Sequence, residues 1–300
     1  MSHHSHHPRH SQGAHTLKVP GARIHYEVRG SGPVLLMIPG GPQDAGVYTA
    51  LAEHLADRYT TVAYDPRGNS RSTLDGEPED QRVELHSDDA AHLVAELGGG
   101  PAYVFGNSAG AQIGLDMAVR HPEAVRALLA HEPPCLMLLD DPSEVLARDQ
   151  DVYDTYRREG VEAAIGKFMA LNGLDEEAEG TREDGGPEPE GGASEGPMHE
   201  DPETFERVSG NFAYFLAHGL MPLSLYRPDV EALREGRVPV TVGLGDASAG
   251  QPIHDIGLAL VRHLGTEPVA FPGDHVGFGT HPRAFAEALH GALDGAPKQR

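Results

Sequence analysis

The stretch from Tyr103 to Ile113 constrains this chain more than any other. An apolar run, Tyr103-Val104-Phe105, stops at Gly106. Asn107 and Ser108 follow, and Ala109-Gly110 opens a helical pattern. A strand that enters a helix through Gly-x-Ser-x-Gly must turn within one residue. That turn forces the serine backbone into a sparsely allowed conformation. It also requires small residues two places to either side, so that strand and helix can approach. The helix start beside Ser108 would offer free N–H groups and positive potential to a developing anion.

Strand and helix patterns alternate on both sides of this unit. Ala22 to Val28 alternates, with Ile24, Tyr26 and Val28 on one face, as expected of a half-buried, antiparallel strand near an edge. Val34 to Ile38 is a continuous apolar run, expected as a strand covered on both faces. It ends in Pro39-Gly40-Gly41-Pro42. A helix is expected over Val47 to Leu55, a strand over Thr60 to Tyr64, a helix over Gln81 to Leu97 and a strand over Val125 to Ala130. The pattern then breaks. Residues 136–229 read as largely helical, with the clearest spacing over Tyr153 to Leu171 and Thr204 to Leu216. Strand–helix alternation resumes at Val238 to Leu244, Pro252 to Leu264, Pro268 to Phe271 and Pro282 to Leu293. This order predicts an α/β core with a mostly parallel sheet flanked by helices, formed by 16–135 and 230–300, with 136–229 inserted as a helical cap.

Charge is unevenly placed. Residues 174–203 hold twelve acids against one base, Arg182, which is close to half of the chain's net −23. With little apolar surface to offset its ordering entropy, this segment reads as a mobile acidic loop within the cap. The negative balance argues against nucleic acid and anionic membranes as partners. Residues 1–15 carry His3, His4, His6, His7, His10 and His15 among Ser, Pro and Gly, and read as a disordered tail whose metal binding would be adventitious. A single cysteine, Cys135, precludes an internal disulfide and fits a reducing compartment. No apolar run approaches the ~18 residues of a membrane span, and the start has no signal-peptide pattern. The expectation is a soluble cytoplasmic protein; no feature specifies an oligomeric state.

Taken together, Gly-Gly-Pro after the first buried strand, Asp65-Pro66-Arg67-Gly68 after the next, the Ser108 turn, an acid after a late strand and a late histidine resemble the α/β-hydrolase superfamily, serine hydrolases with a helical cap. The resemblance spans roughly residues 17–135 and 230–295; the insertion matches the family's cap in position only. It implies Ser108 as nucleophile and His275 as general base and then acid, with no metal and no cofactor. The chain order Ser108, Asp246, His275 is the order the family uses. The carboxylate that holds the imidazole tautomer is expected to be Asp246, directly after Gly245. Many relatives place the acid two residues later, where Ser248 stands, and Glu132, at the end of the strand after the serine, is the alternative. The oxyanion hole is expected from the backbone N–H groups of Ala109 and Gly41, with Gly40 or Gln43 as substitutes for Gly41, since Pro42 has none. Asp65 and Arg67 are expected to fix loops beneath the site.

A serine, where relatives that displace halide or open epoxides carry aspartate, implies acyl transfer on a small-molecule ester, lactone, thioester or amide. Gln43, Phe212 and Phe215 are candidate substrate contacts. Two enzymatic alternatives share the motifs: an amidase like the proline iminopeptidases, and a cofactor-free perhydrolase. A further alternative is a non-catalytic ligand-binding protein on the same fold.

Overall fold

A computed structural model describes residues 11–98, 100–171 and 201–295. The strands are β1 (Gly13–Val19), β2 (Ala22–Gly30), β3 (Val34–Ile38), β4 (Thr60–Tyr64), β5 (Thr73–Leu74), β6 (Ala102–Asn107), β7 (Val125–His131), β8 (Val240–Gly245) and β9 (Val269–Phe271). The helices are α1 (Thr49–Leu55), α2 (Val83–Leu97), α3 (Ala109–Arg120), α4 (Ser143–Glu159), α5 (Val161–Leu171), α6 (Pro202–His218), α7 (Leu220–Ser224), α8 (Val230–Glu235), α9 (Pro252–Leu264), α10 (Gly277–Thr280) and α11 (Pro282–Asp294).

One sheet runs in the order β1-β2-β4-β3-β6-β7-β8-β9, with β5 paired to β2. The β1–β2 and β2–β4 pairs are antiparallel, and every pair from β4 to β9 is parallel. Parallel strands need crossover helices, which cover both faces and force the inner strands to be apolar on both sides. In β3 all five residues are buried. Leu35 and Met37 join a core layer that includes Leu51, Leu55, Phe285 and Leu289 of α1 and α11. Leu36 and Ile38 join the opposite layer, with Leu93, Ile113 and Leu260 of α2, α3 and α9. Each such side chain stabilises the fold by roughly 1.5–3 kcal/mol relative to exposure.

Three sequence expectations are revised. The tail expected over residues 1–15 is shorter, because Gly13–Val19 forms β1. His15 lies opposite Tyr26 in the β1–β2 register and stacks on its ring, with centroids 5.3 Å apart. Residues 1–10 lie outside the described residues. The helical run read through Tyr153–Leu171 is two helices, broken at Gly160, whose φ of 97° suits glycine and ends α4. The acidic loop lies mostly outside the described residues, but Asp201 caps α6 by accepting from the N–H groups of Glu203 and Thr204. Helices α4 to α7 follow β7 and precede β8, and α6 brings Phe215 onto Gly41, just past the carboxyl end of β3.

Candidate active site

Ser108 sits between β6 and α3 at φ 55°, ψ −126°, a conformation that costs of order 1–3 kcal/mol in a non-glycine residue. Its neighbours explain how the strain is held. A Cβ on Gly106 would strike the Gly110 carbonyl, and one on Gly110 would strike the carbonyl of Ile38 in β3. Gly40 presses on the turn from the next loop, where a Cβ would lie 2.6 Å from that of Ser108. Asn107 and Ala109 are buried, whereas Ser108 is partly exposed. Among the described residues only two other non-glycine residues have positive φ, Glu132 at 43° and Ser70 at 49°.

Glu132 follows β7, the strand beside β6. Ser108 N–H donates to the His131 carbonyl at 3.0 Å, so the serine is anchored one residue from the acid. The Glu132 side chain is fully buried. Its Oε2 accepts from His275 Nδ1 at 2.8 Å and its Oε1 from the Gly245 N–H at 2.9 Å. Burial disfavours the carboxylate, but the His275 hydrogen bond and the Gly245 N–H outweigh it, and the Glu132 pKa is lowered to about 2. An ionised acceptor on Nδ1 leaves His275 Nε2 as the basic nitrogen. His275 follows β9. Ser108, Glu132 and His275 therefore stand at the carboxyl ends of three parallel strands, where open α/β sheets place their ligands.

Asp246, the acid expected from sequence, does not meet the histidine. It is exposed at the end of β8, and its Oδ1 accepts from the Gly273 N–H at 2.9 Å. The contact it makes fixes the loop after β9 and leaves Glu132 as the carboxylate on His275.

The loop Gly40–Gln43 faces Ser108. Gly40 N–H donates to Gln43 Oε1 at 3.2 Å, and Gln43 N–H to the Gly40 carbonyl at 2.9 Å. Both are thus committed inside the loop. The N–H groups of Gly41 and Ala109 have no acceptor among the described residues. Gln43, a candidate substrate contact, braces its own loop through its side-chain oxygen. Phe215, from α6, lies over Gly41: a Cβ there would be 3.6 Å from the ring. Phe215, Phe212 and Phe168 pack edge-on at centroid distances of 5.5 to 6.3 Å, an apolar cluster that reaches Gly41 through Phe215.

Sequence reading passed over His131. Its ring is fully buried between Phe271 and Phe285, at 5.6 and 5.2 Å, and burial lowers its pKa to about 3. The neutral ring donates from Nδ1 to Asn107 Oδ1 at 2.8 Å, tying the residue before Ser108 to the one before Glu132. Asp65 and Arg67 occupy structural positions. Asp65 pairs with Arg71 and caps Ala45 N–H, and Arg67 forms a buried two-pronged pair with Asp89, both contacts at 2.7 Å. A cleft of about 320 Å³ opens elsewhere, beside α2, α3 and α7, lined by Arg82, Glu84, Asp116, Leu225, Tyr226 and Arg227 among others; neither Ser108 nor His275 borders it. Among the described residues, no His/Cys/Asp/Glu group is placed to hold a metal ion, and no helix is long and apolar enough to cross a membrane.

A nucleophile-type turn, an imidazole–carboxylate pair and a mostly parallel sheet interrupted by a helical insertion define a class. The chain is an enzyme of the α/β-hydrolase superfamily: the alpha/beta hydrolase fold family matches residues 33–172. It is 38% identical over 283 residues to the uncharacterized hydrolase YraK of Bacillus subtilis (strain 168), covering 93% of this chain and 95% of that protein. Among solved structures it resembles a thermophilic esterase from Thermogutta terrifontis (TM-score 0.70, 20% identity, 94% of this chain and 98% of that one). It also resembles the enol-lactonase from Burkholderia xenovorans LB400 (TM-score 0.68, 17% identity, 93% of this chain and 100% of that one). At these identities the structural likenesses carry the fold.

Proposed function

We propose that this protein is a serine hydrolase that cleaves a small carboxylic ester or lactone through an acyl-enzyme on Ser108. The observation that carries the reading is the His275–Glu132 hydrogen bond at the strand end next to the strained serine. His275 Nε2 takes the Ser108 proton as Oγ attacks the substrate carbonyl. The N–H groups of Gly41 and Ala109 receive the oxyanion. The imidazolium, held by the ionised Glu132, returns the proton to the leaving oxygen. Water, deprotonated by the same nitrogen, then releases the acid.

Phe168 and Phe212, packed edge-on in one cluster with Phe215, support an apolar acyl group. The YraK likeness is consistent with hydrolysis and names no substrate. A panel of p-nitrophenyl esters, lactones and prolyl amides tests the reading. Turnover of apolar short-chain esters or lactones is expected. Turnover confined to prolyl amides would overturn it.

A further inference from the structure

Four residues on one stripe of α6 meet the loop after β3 in reverse order. Thr204 packs on Gly46, where a Cβ would lie 2.8 Å from its methyl group. Arg207 Nε donates to the buried Asp44 Oδ2 at 2.6 Å. Asn211 Nδ2 donates to the Pro42 carbonyl at 2.7 Å, and Phe215 covers Gly41. Spacings of three and four residues keep these side chains on one face of the helix. As the helix advances from 204 to 215, the loop recedes from 46 to 41 and ends at the glycine beside the serine.

Asn211 also holds the third non-glycine residue of positive φ among the described residues. Ser70, at φ 49°, donates its N–H to Asn211 Oδ1 at 2.7 Å, and its hydroxyl accepts from Nδ2 at 2.8 Å. The adjacent Asn69 donates to the carbonyls of Gly41 and Gln43, both at 3.2 Å. The Gly41 and Pro42 carbonyls are therefore held from two sides, by Asn69 from the core and by Asn211 from the cap, while the Gly40 carbonyl, in the peptide that carries the Gly41 N–H, accepts from the Gln43 N–H at 2.9 Å. Positive φ at Ser70 persists because these contacts over-determine it.

We propose that Asn211 and Phe215 are positioning residues for the oxyanion hole: the cap helix sets the direction of the Gly41 N–H and so acts on transition-state binding. This rests on the serine-hydrolase reading above. Neither side chain needs to touch the reacting atoms. A donor misaimed by part of an ångström loses much of its preorganised stabilisation while ground-state substrate still binds.

The test compares Asn211→Leu and Phe215→Leu with wild type on the p-nitrophenyl ester that wild type turns over fastest. The boronic acid of the same acyl chain serves as the second probe. Its boron accepts Ser108 Oγ, His275 keeps the displaced proton, and one boron-bound hydroxyl enters the oxyanion hole of the anionic adduct. Expected are a fall in kcat of about 10- to 100-fold, KM within about threefold, and a boronate Ki raised by the factor that kcat/KM loses. Phe205→Ser, on the exposed face of the same helix, should leave all three values unchanged. Should Asn211→Leu not fold, Asn211→Ala, which adds no bulk, takes its place. A lowered Tm with kcat and Ki unchanged at a temperature where the variants remain folded would make the contacts merely structural and overturn the proposal. So would a rise in KM alone, which would make them substrate contacts. Wild type that binds neither the boronic acid nor a fluorophosphonate would instead sink the serine reading beneath it.

Discussion

His275 Nδ1 lies 2.8 Å from Glu132 Oε2 across 143 positions of sequence, while Asp246, closer in the chain, bonds the Gly273 N–H instead. The two carboxylates can be separated by experiment. Glu132→Gln keeps the shape but removes the charge and the control of tautomer, and should lower kcat by about 10³- to 10⁴-fold. Asp246→Asn keeps an oxygen for Gly273 and should stay within about threefold of wild type, an exposed polar change of the kind that rarely matters. Steady-state kinetics on purified, folded variants decides. Loss of activity in Asp246→Asn alone would restore the sequence-based assignment.

Acid should destabilise the protein in two stages. His86 and His131 are buried, and desolvation lowers both from 6.5 to about 3, with the Arg67 charge adding to the effect at His86. Below pH 6.5 the unfolded chain binds protons at these sites that the folded chain refuses. Their stability contribution is complete above that pH and falls by about 1.4 kcal/mol per unit and per histidine as pH drops toward 3. Glu132, lowered from 4.5 to about 2, works in the same direction: its contribution is present above 4.5 and lost below it. Urea midpoints from pH 8 to pH 4 measure the slope. Neither ring nitrogen of His86 has a partner among the described residues. His86→Leu should therefore flatten the slope and raise the midpoint at pH 5. An unchanged slope would show that His86 is solvated.

Close approach at the serine turn is tested by alanine. Gly110→Ala drives a methyl group into the Ile38 carbonyl. Backbone lies on both sides of that clash and cannot swing away, so a loss above about 4 kcal/mol, or insoluble protein, is expected. Gly291→Ala, in the exposed face of α11 with nothing within 4 Å of the new methyl, should instead gain about 0.8–1 kcal/mol from helix propensity. Thermal unfolding compares them. A Gly110→Ala variant as stable as wild type would mean that strand and helix do not meet as described.

The fold was legible where periodicity and special backbone coincide. Glycines at 106 and 110 name the turn because no other residue fits there, and the unbroken apolar run in β3 marks a strand covered on both faces. β1 was missed because Gly13 and His15 continue the composition of the tail before them, and an edge strand needs little burial. The carboxylate that bonds His275 was out of reach for a different reason. Gly245-Asp246 and His131-Glu132 both put a carboxylate just past a parallel strand, and only backbone direction chooses between them. Glu132, at φ 43°, turns back toward the loop after β9, whereas Asp246 begins a short helical turn. The His131–Asn107 link and the α6 stripe were equally out of reach, because they join residues through tertiary contact and carry no local pattern.

One measurement bears most directly on the central claim that Ser108 is the nucleophile. Intact-mass analysis after treatment with a fluorophosphonate, followed by peptide mapping, should find a single adduct on Ser108. Ser108→Ala should take up none and should lose on the order of 10⁶ in kcat. An unlabelled wild-type protein whose Ser108→Ala variant still turns over substrate would contradict the account.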